Sequence, residues 1–109
     1  MFTIKQYNTI PSIEATLLDG AGIPVDLTGS TVTFSMRSLD NAALVINGDA
    51  VFVDATAGLV AYQWADGDTD FAGAYIGEFL VIRPGGGKES FPNGDYIEVH
   101  VVKAAANPS

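Results

Sequence analysis

The chain has 109 residues, 5 basic and 13 acidic, with a formal net charge of -8 and no cysteine. That length suits one domain, here taken as residues 1–109 with 103–109 as a short tail, and lets a chain bury roughly two-thirds of its unfolded surface without cross-links. Zero cysteines exclude a disulfide framework and, with a single histidine, make a tetrahedral zinc site hard to build.

The acidity also argues against nucleic acid and anionic membrane as partners, because both are held by Lys and Arg, and Lys5, Arg37, Arg83, Lys88 and Lys103 are scattered. Apolar residues make up 48% of the chain and charged residues 17%, a balance that packs rather than stays disordered. No apolar run reaches the roughly 18 residues of a membrane helix, and Met1 to Lys5 lacks the features of a signal peptide, so a cytoplasmic origin is expected.

In chain order, period-two alternation marks strands at residues 2–7, 13–18, 31–38, 43–46, 50–53, 59–65, 75–83 and 96–102. The clearest are 31–38, with Val32, Phe34 and Met36 on one face, 59–65, with Val60, Tyr62 and Trp64, and 75–83, with Tyr75, Gly77, Phe79 and Val81. Turn residues fall between them, among them Asp19 to Gly22, Asn47 with Gly48 and Asp49, 66–73, 84–87, and 92–95. No segment keeps helical spacing over three turns. Seven to eight short strands in this length predict an all-β, antiparallel sandwich of the immunoglobulin type.

Four constellations invite a chemical reading. Asp66, Asp68 and Asp70 alternate as in a calcium loop, but Phe71 stands where the loop needs glycine and Gly77 where it needs glutamate, which predicts a solvated connection. His100 falls on the face of the last strand shared with Glu98, opposite Val99 and Val101, without a nucleophile in a strained elbow to serve. Pro84 to Lys88 is rich in glycine, yet Ile82 and Glu89 break the phosphate-loop spacing, leaving a hairpin. Tyr62, Trp64, Tyr75 and Phe79 could form a sugar platform, but their alternation places them on inner faces, as core. No catalytic residue, metal or cofactor is expected.

Asp70-Phe71-Ala72-Gly73-Ala74-Tyr75 resembles the tyrosine corner, in which a Tyr near the start of a strand bonds back across the preceding loop. A longer match covers residues 23–101. The series Ile23-Pro24-Val25-Asp26-Leu27-Thr28-Gly29, Val32-Thr33-Phe34-Ser35-Met36-Arg37, Val60-Ala61-Tyr62-Gln63-Trp64, Ala72-Gly73-Ala74-Tyr75 and Ser90-Phe91-Pro92-Asn93-Gly94-Asp95-Tyr96-Ile97 resembles the N-terminal domain of phage baseplate upper proteins. That resemblance implies a β-sandwich of the virion, assembled in the bacterial host cytoplasm, that attaches to a tail-tip ring and performs no catalysis.

The expectation that follows is a structural virion protein of a tailed phage, a small adaptor in the tail or baseplate. Capsid decoration, a neck position and a glycan-binding surface module are the alternatives. Partners would be other virion proteins, in a symmetric homo-oligomer, met through backbone pairing at exposed sheet edges and through loops. Phe2, Ile4, Ala104, Ala105 and Pro108, in the apolar start and the Ala-rich tail, are the candidate interface residues.

Overall fold

The computed structural model describes residues 1–92 and 96–106. Nine strands and no helix occur among them: β1 (Phe2–Lys5), β2 (Ile13–Thr16), β3 (Thr31–Ser38), β4 (Leu44–Asp49), β5 (Val51–Asp54), β6 (Leu59–Tyr62), β7 (Gly73–Ile82), β8 (Lys88–Phe91) and β9 (Ile97–Val102). They form two sheets. The larger runs β1-β9-β7-β3-β4, with β8 also on β7, and the smaller runs β2-β6-β5.

Alternation decides which face is buried. In β7 the odd-numbered residues from Tyr75 to Val81 point inward and the even-numbered ones lie half-exposed, and β3 buries Val32, Phe34 and Met36 in the same way. Between the sheets these meet Ile13, Val60, Tyr62 and Trp64 from the smaller sheet and the segment following it, in one continuous core. Phe34 sits at its centre, 5.0 Å from the rings of both Tyr62 and Phe79 and edge-on to Trp64 at 6.0 Å. Burying a side chain of this size contributes roughly 1.5–3 kcal/mol.

Two corners lock the sandwich. Tyr75 Oη donates to the Phe71 carbonyl at 2.6 Å, so the corner signalled by Asp70 to Tyr75 is formed, and burial pushes the phenol's pKa up. Trp64 Nε1 donates to the Pro11 carbonyl at 3.1 Å, tying the segment after β6 to the segment before β2. The Ile10–Pro11 and Phe91–Pro92 peptide bonds are cis.

The all-β sandwich is as the alternation predicts, with three differences of detail. β1 runs parallel to β9, not antiparallel, because the chain enters alongside the strand that ends it. β8 was not marked by the sequence, since Lys88-Glu89-Ser90-Phe91 carries one apolar side chain, and its pairing with β7 holds it. Asn47 and Gly48, a strong turn signal, lie inside β4. There Gly48 pairs with Phe34 and a Cβ on it would stand 3.1 Å from Tyr62 Cε1, so packing under that ring overrides the local preference.

Candidate interaction edge

β4 is the last strand of the larger sheet and β5 the last strand of the smaller one, and only Ala50 separates them. The chain passes from one sheet to the other there: Ala50 N–H still donates to Val32 O of β3, whereas Val51 is already in register with Ala61 of β6. Residues 44–54 therefore edge both sheets in one extended run of about 35 Å at the usual strand rise. No strand pairs with its outer side among the described residues.

The side chains on this run are unusually apolar for an edge. Leu44 and Val45 are exposed at the start of β4, and Val51, Phe52 and Val53 keep 58%, 36% and 53% of their surface in β5. Because successive strand residues point to opposite faces, the exposure of Val51 and Phe52, both in regular register with β6, means that β5 is uncovered on both faces. The smaller sheet has only three strands, and its last one overhangs the core. The register skips Val45 opposite β3 and Val53 opposite β6, a bulge near each end that leaves residues 46–52 as the regular part. Lysine and proline, the usual guards of an edge, are absent from it; Asp49 and Asp54 are the charges present.

The sequence-derived candidates sit elsewhere. Asp68 is taken up by structure: its Oδ2 accepts from Tyr62 Oη at 2.5 Å and from Ala65 N–H at 2.9 Å, so the 66–70 segment is a capped turn. Thr69, 2% exposed, donates from its hydroxyl to the Asn8 carbonyl. His100 lies half-exposed on the outer face, in register with Thr3 of β1 and Ala74 of β7. Pro84 to Gly87 form the β7–β8 hairpin, closed by Arg83 N–H on Gly87 O at 2.8 Å. Tyr62, Trp64, Tyr75 and Phe79 are all buried.

Of the residues expected at an interface, Ile4 is interior at 3% exposure, and Phe2 packs half-buried on Trp64 with ring centres 5.8 Å apart. Ile4 thus serves the core, which corrects its reading as an interface residue. Ala104 is tied by its N–H to Gln6 Oε1 at 3.1 Å, Ala105 is exposed, and Pro108 lies outside the described residues. Sequence reading missed residues 44–54 as a site. Alternation marks Val51 and Val53 as strand residues but does not say whether another layer covers them.

Two clefts lie on the surface of the described residues. One of about 380 Å³ lies between β2 and the ends of β8 and β9, lined by Leu17, Phe91, Pro92 and Ile97. Asp19, the charged residue on its wall, accepts from the N–H groups of Ala21 and Ile23. The other, about 190 Å³, lies on the outer face between Arg37, Glu78 and Tyr96. Arg37 Nη1 donates to the Ala42 carbonyl at 2.9 Å.

No family model matches the chain, and no curated protein matches it. Among solved structures it is similar to CopC from Methylosinus trichosporium OB3b, with a TM-score of 0.55 and 14% identity over 96% of this chain and 86% of that one. At that identity the likeness defines a fold class, the β-sandwich, and nothing narrower.

The expected role as a structural virion protein, in tail, baseplate, neck or capsid or as a glycan module, is corrected by this finding: a solved structure that the chain resembles over 96% of its length is CopC, not a protein of a phage particle. The physical reason lies in which residues carried the phage resemblance. Leu27, Val32, Phe34, Val60, Tyr62, Trp64, Tyr75 and Phe91 are all core, and Gly29 is a turn residue with φ of 79°. Such residues specify a sandwich; they do not specify what it binds.

Proposed function

We propose that this chain is a non-catalytic β-sandwich module that binds an extended segment of another polypeptide along residues 44–54. The observation that carries the reading is the exposure of Val51, Phe52 and Val53 on both faces of an edge strand. An unpaired edge offers backbone donors and acceptors at regular spacing, and alternating side chains of an added strand would cover the exposed valines on one face. Exposed apolar surface in a contiguous strip marks a contact site more often than scattered residues do. The absence of catalysis is supported by the engagement of Asp68, Asp19 and Thr69 in turns and loop ties.

The test is a screen of short extended peptides against the protein and its Val51→Thr/Val53→Thr variant, with amide exchange read on the hits. Both valines are exposed, so near-isosteric threonines should keep the fold. Binding that weakens in the variant and slows exchange across residues 44–54 supports the reading. Hits that bind the variant equally, or protect the β2 side instead, overturn it.

A further inference from the structure

We infer that the occupant of this edge is a basic extended segment, one that alternates apolar residues with Lys or Arg, rather than a second copy of the chain; the inference rests on the edge reading above. Residues 46–54 contain Asp49 and Asp54 and no basic side chain, and β6 beside them is uncharged. The two carboxylates bracket the exposed apolar triplet, and both are exposed. Asp54 Oδ1 already accepts from Thr56 Oγ1 at 2.9 Å and Ala57 N–H at 3.3 Å, which fixes the carboxylate while leaving lone pairs for an incoming cation.

Self-pairing meets an electrostatic obstacle. If two copies align antiparallel with Phe52 opposite Phe52, the triplets overlap, and Asp49 of each copy falls opposite Ala55 of the other, one residue from Asp54. Each end of the pairing then gathers two carboxylates with no basic side chain among residues 44–57 to offset them. Each copy also carries a net charge of -8, so approach is opposed before contact. A partner with Lys or Arg at those two positions turns both contacts attractive and gains steering at low salt. The basic residues of this chain do not supply them at the edge: Arg83 is paired with Glu89 at 3.1 Å, Arg37 is bound to the Ala42 carbonyl, Lys88 is on β8, and Lys5 on β1 and Lys103 just past β9 lie at the opposite side of the larger sheet.

The experiment uses labelled peptides of about nine residues, a length that spans the regular part of the edge, alternating valine with lysine, threonine or glutamate. A fourth lysine peptide is N-methylated on alternate amides. Anisotropy titrations at low and high salt are run on the protein, on Asp49→Asn/Asp54→Asn and on Val51→Thr/Val53→Thr. The lysine peptide should bind about three- to tenfold tighter than the threonine peptide, the range expected of two exposed ion pairs. That advantage should shrink at high salt and in Asp49→Asn/Asp54→Asn, and the glutamate peptide should not bind.

Equal binding of the lysine and threonine peptides, both weakened by the valine substitutions, leaves the edge reading standing and overturns the charge inference. Lysine-peptide binding that survives N-methylation and the valine substitutions is adhesion elsewhere and overturns both. Sedimentation of the protein alone provides the remaining arm: a dimer at low salt that dissociates in Val51→Thr/Val53→Thr names a second copy as the occupant and overturns the basic partner.

Discussion

Tyr62 Oη and Asp68 Oδ2 stand 2.5 Å apart, joining the last residue of β6 to the turn that follows it. Through this bond a core ring, stacked on Phe34, fixes a solvent-facing loop, because the same carboxylate oxygen accepts from Ala65 N–H. Asp68→Ala strips both donors of their acceptor and should cost about 1–3 kcal/mol, chiefly through the part-buried Tyr62 hydroxyl, because the exposed Ala65 N–H turns to water. Tyr62→Phe should cost less, and the double variant should fall short of the sum of the singles, since they remove one shared bond. Urea denaturation of the three variants measures this; strict additivity would show that the bond contributes nothing in solution.

Burial, reinforced by the hydrogen bond to Asp68 and its charge, holds the Tyr62 phenol above its ordinary pKa of 10.0. The native chain thus keeps a proton that the unfolded chain releases, and stability falls with pH wherever that holds. The contribution is fully present below about pH 10 and declines as pH rises past the unfolded tyrosine value. Tyr75, shifted the same way by burial and then by Asp40, adds to the slope. Thermal melts between pH 8 and 12 should show a flat limb followed by a drop, made shallower by Tyr62→Phe. An unchanged slope in that variant would remove Tyr62 from the account.

Gly58 lies where the β5–β6 turn passes beneath two other segments. Its φ is 70°, and a Cβ would sit 2.7 Å from Val25 O and 2.9 Å from Leu17 O. Leu17 N–H donates to Gly58 O at 2.8 Å, and Val25 N–H to Leu17 O at 2.9 Å, so backbone rather than a yielding side chain blocks the space. Gly58→Ala should cost about 2–4 kcal/mol from strain and steric conflict together. Gly20→Ala, where nothing lies within 4 Å, is the control and should stay within about 0.5 kcal/mol. Comparable melting temperatures for the two variants would contradict the packing at Gly58.

Trp64, the one tryptophan, is 2% exposed and stands edge-on to Tyr62 at 5.5 Å, with Phe2 on another side. Trp64→Ala should cost about 3–5 kcal/mol by lost transfer energy plus cavity. That approaches the whole stability of a small domain. The folded protein should emit at short wavelength and shift red on unfolding. Water-exposed emission from the folded state would mean that β6 and the segment after it are turned over.

What could be read from the sequence was whatever short-range chemistry dictates. Val32, Phe34 and Met36, or Tyr75 to Val81, announce their buried face by period two alone, and Asp70 to Tyr75 announces its corner by residue type and spacing. Gly48 misleads because its preference for a turn is outweighed by Tyr62, brought over it by the crossing from sheet to sheet. The exposure of Val51 to Val53 is illegible for a related reason. It depends on the smaller sheet ending at β5, and no pattern within residues 50–53 records how many strands lie beside them. The candidate site therefore emerges from topology, and the sequence supplies only its apolar and acidic character.

Gly77 gives a last case in which a glycine is needed for space and not for backbone freedom. It lies in β7 opposite Met36 and Ile97, its side-chain position facing the core, where a Cβ would stand 2.8 Å from Phe34 Cζ and 2.9 Å from Cε1. Phe34 is fully buried and held between Tyr62 and Phe79, so its ring cannot withdraw freely. Gly77→Ala should therefore cost about 1–3 kcal/mol as overpacking. Phe34→Leu alone should cost about 1–2 kcal/mol, a smaller truncation than removal of the ring to alanine. Combined, the new methyl occupies part of the volume that the lost ring leaves, so the double variant should be more stable than the sum of the singles by at least about 0.5 kcal/mol. Chemical denaturation of the four proteins closes the cycle. A coupling of zero, with both singles destabilised, would show that the strands move apart to admit the methyl and that Phe34 does not set the requirement for glycine at residue 77.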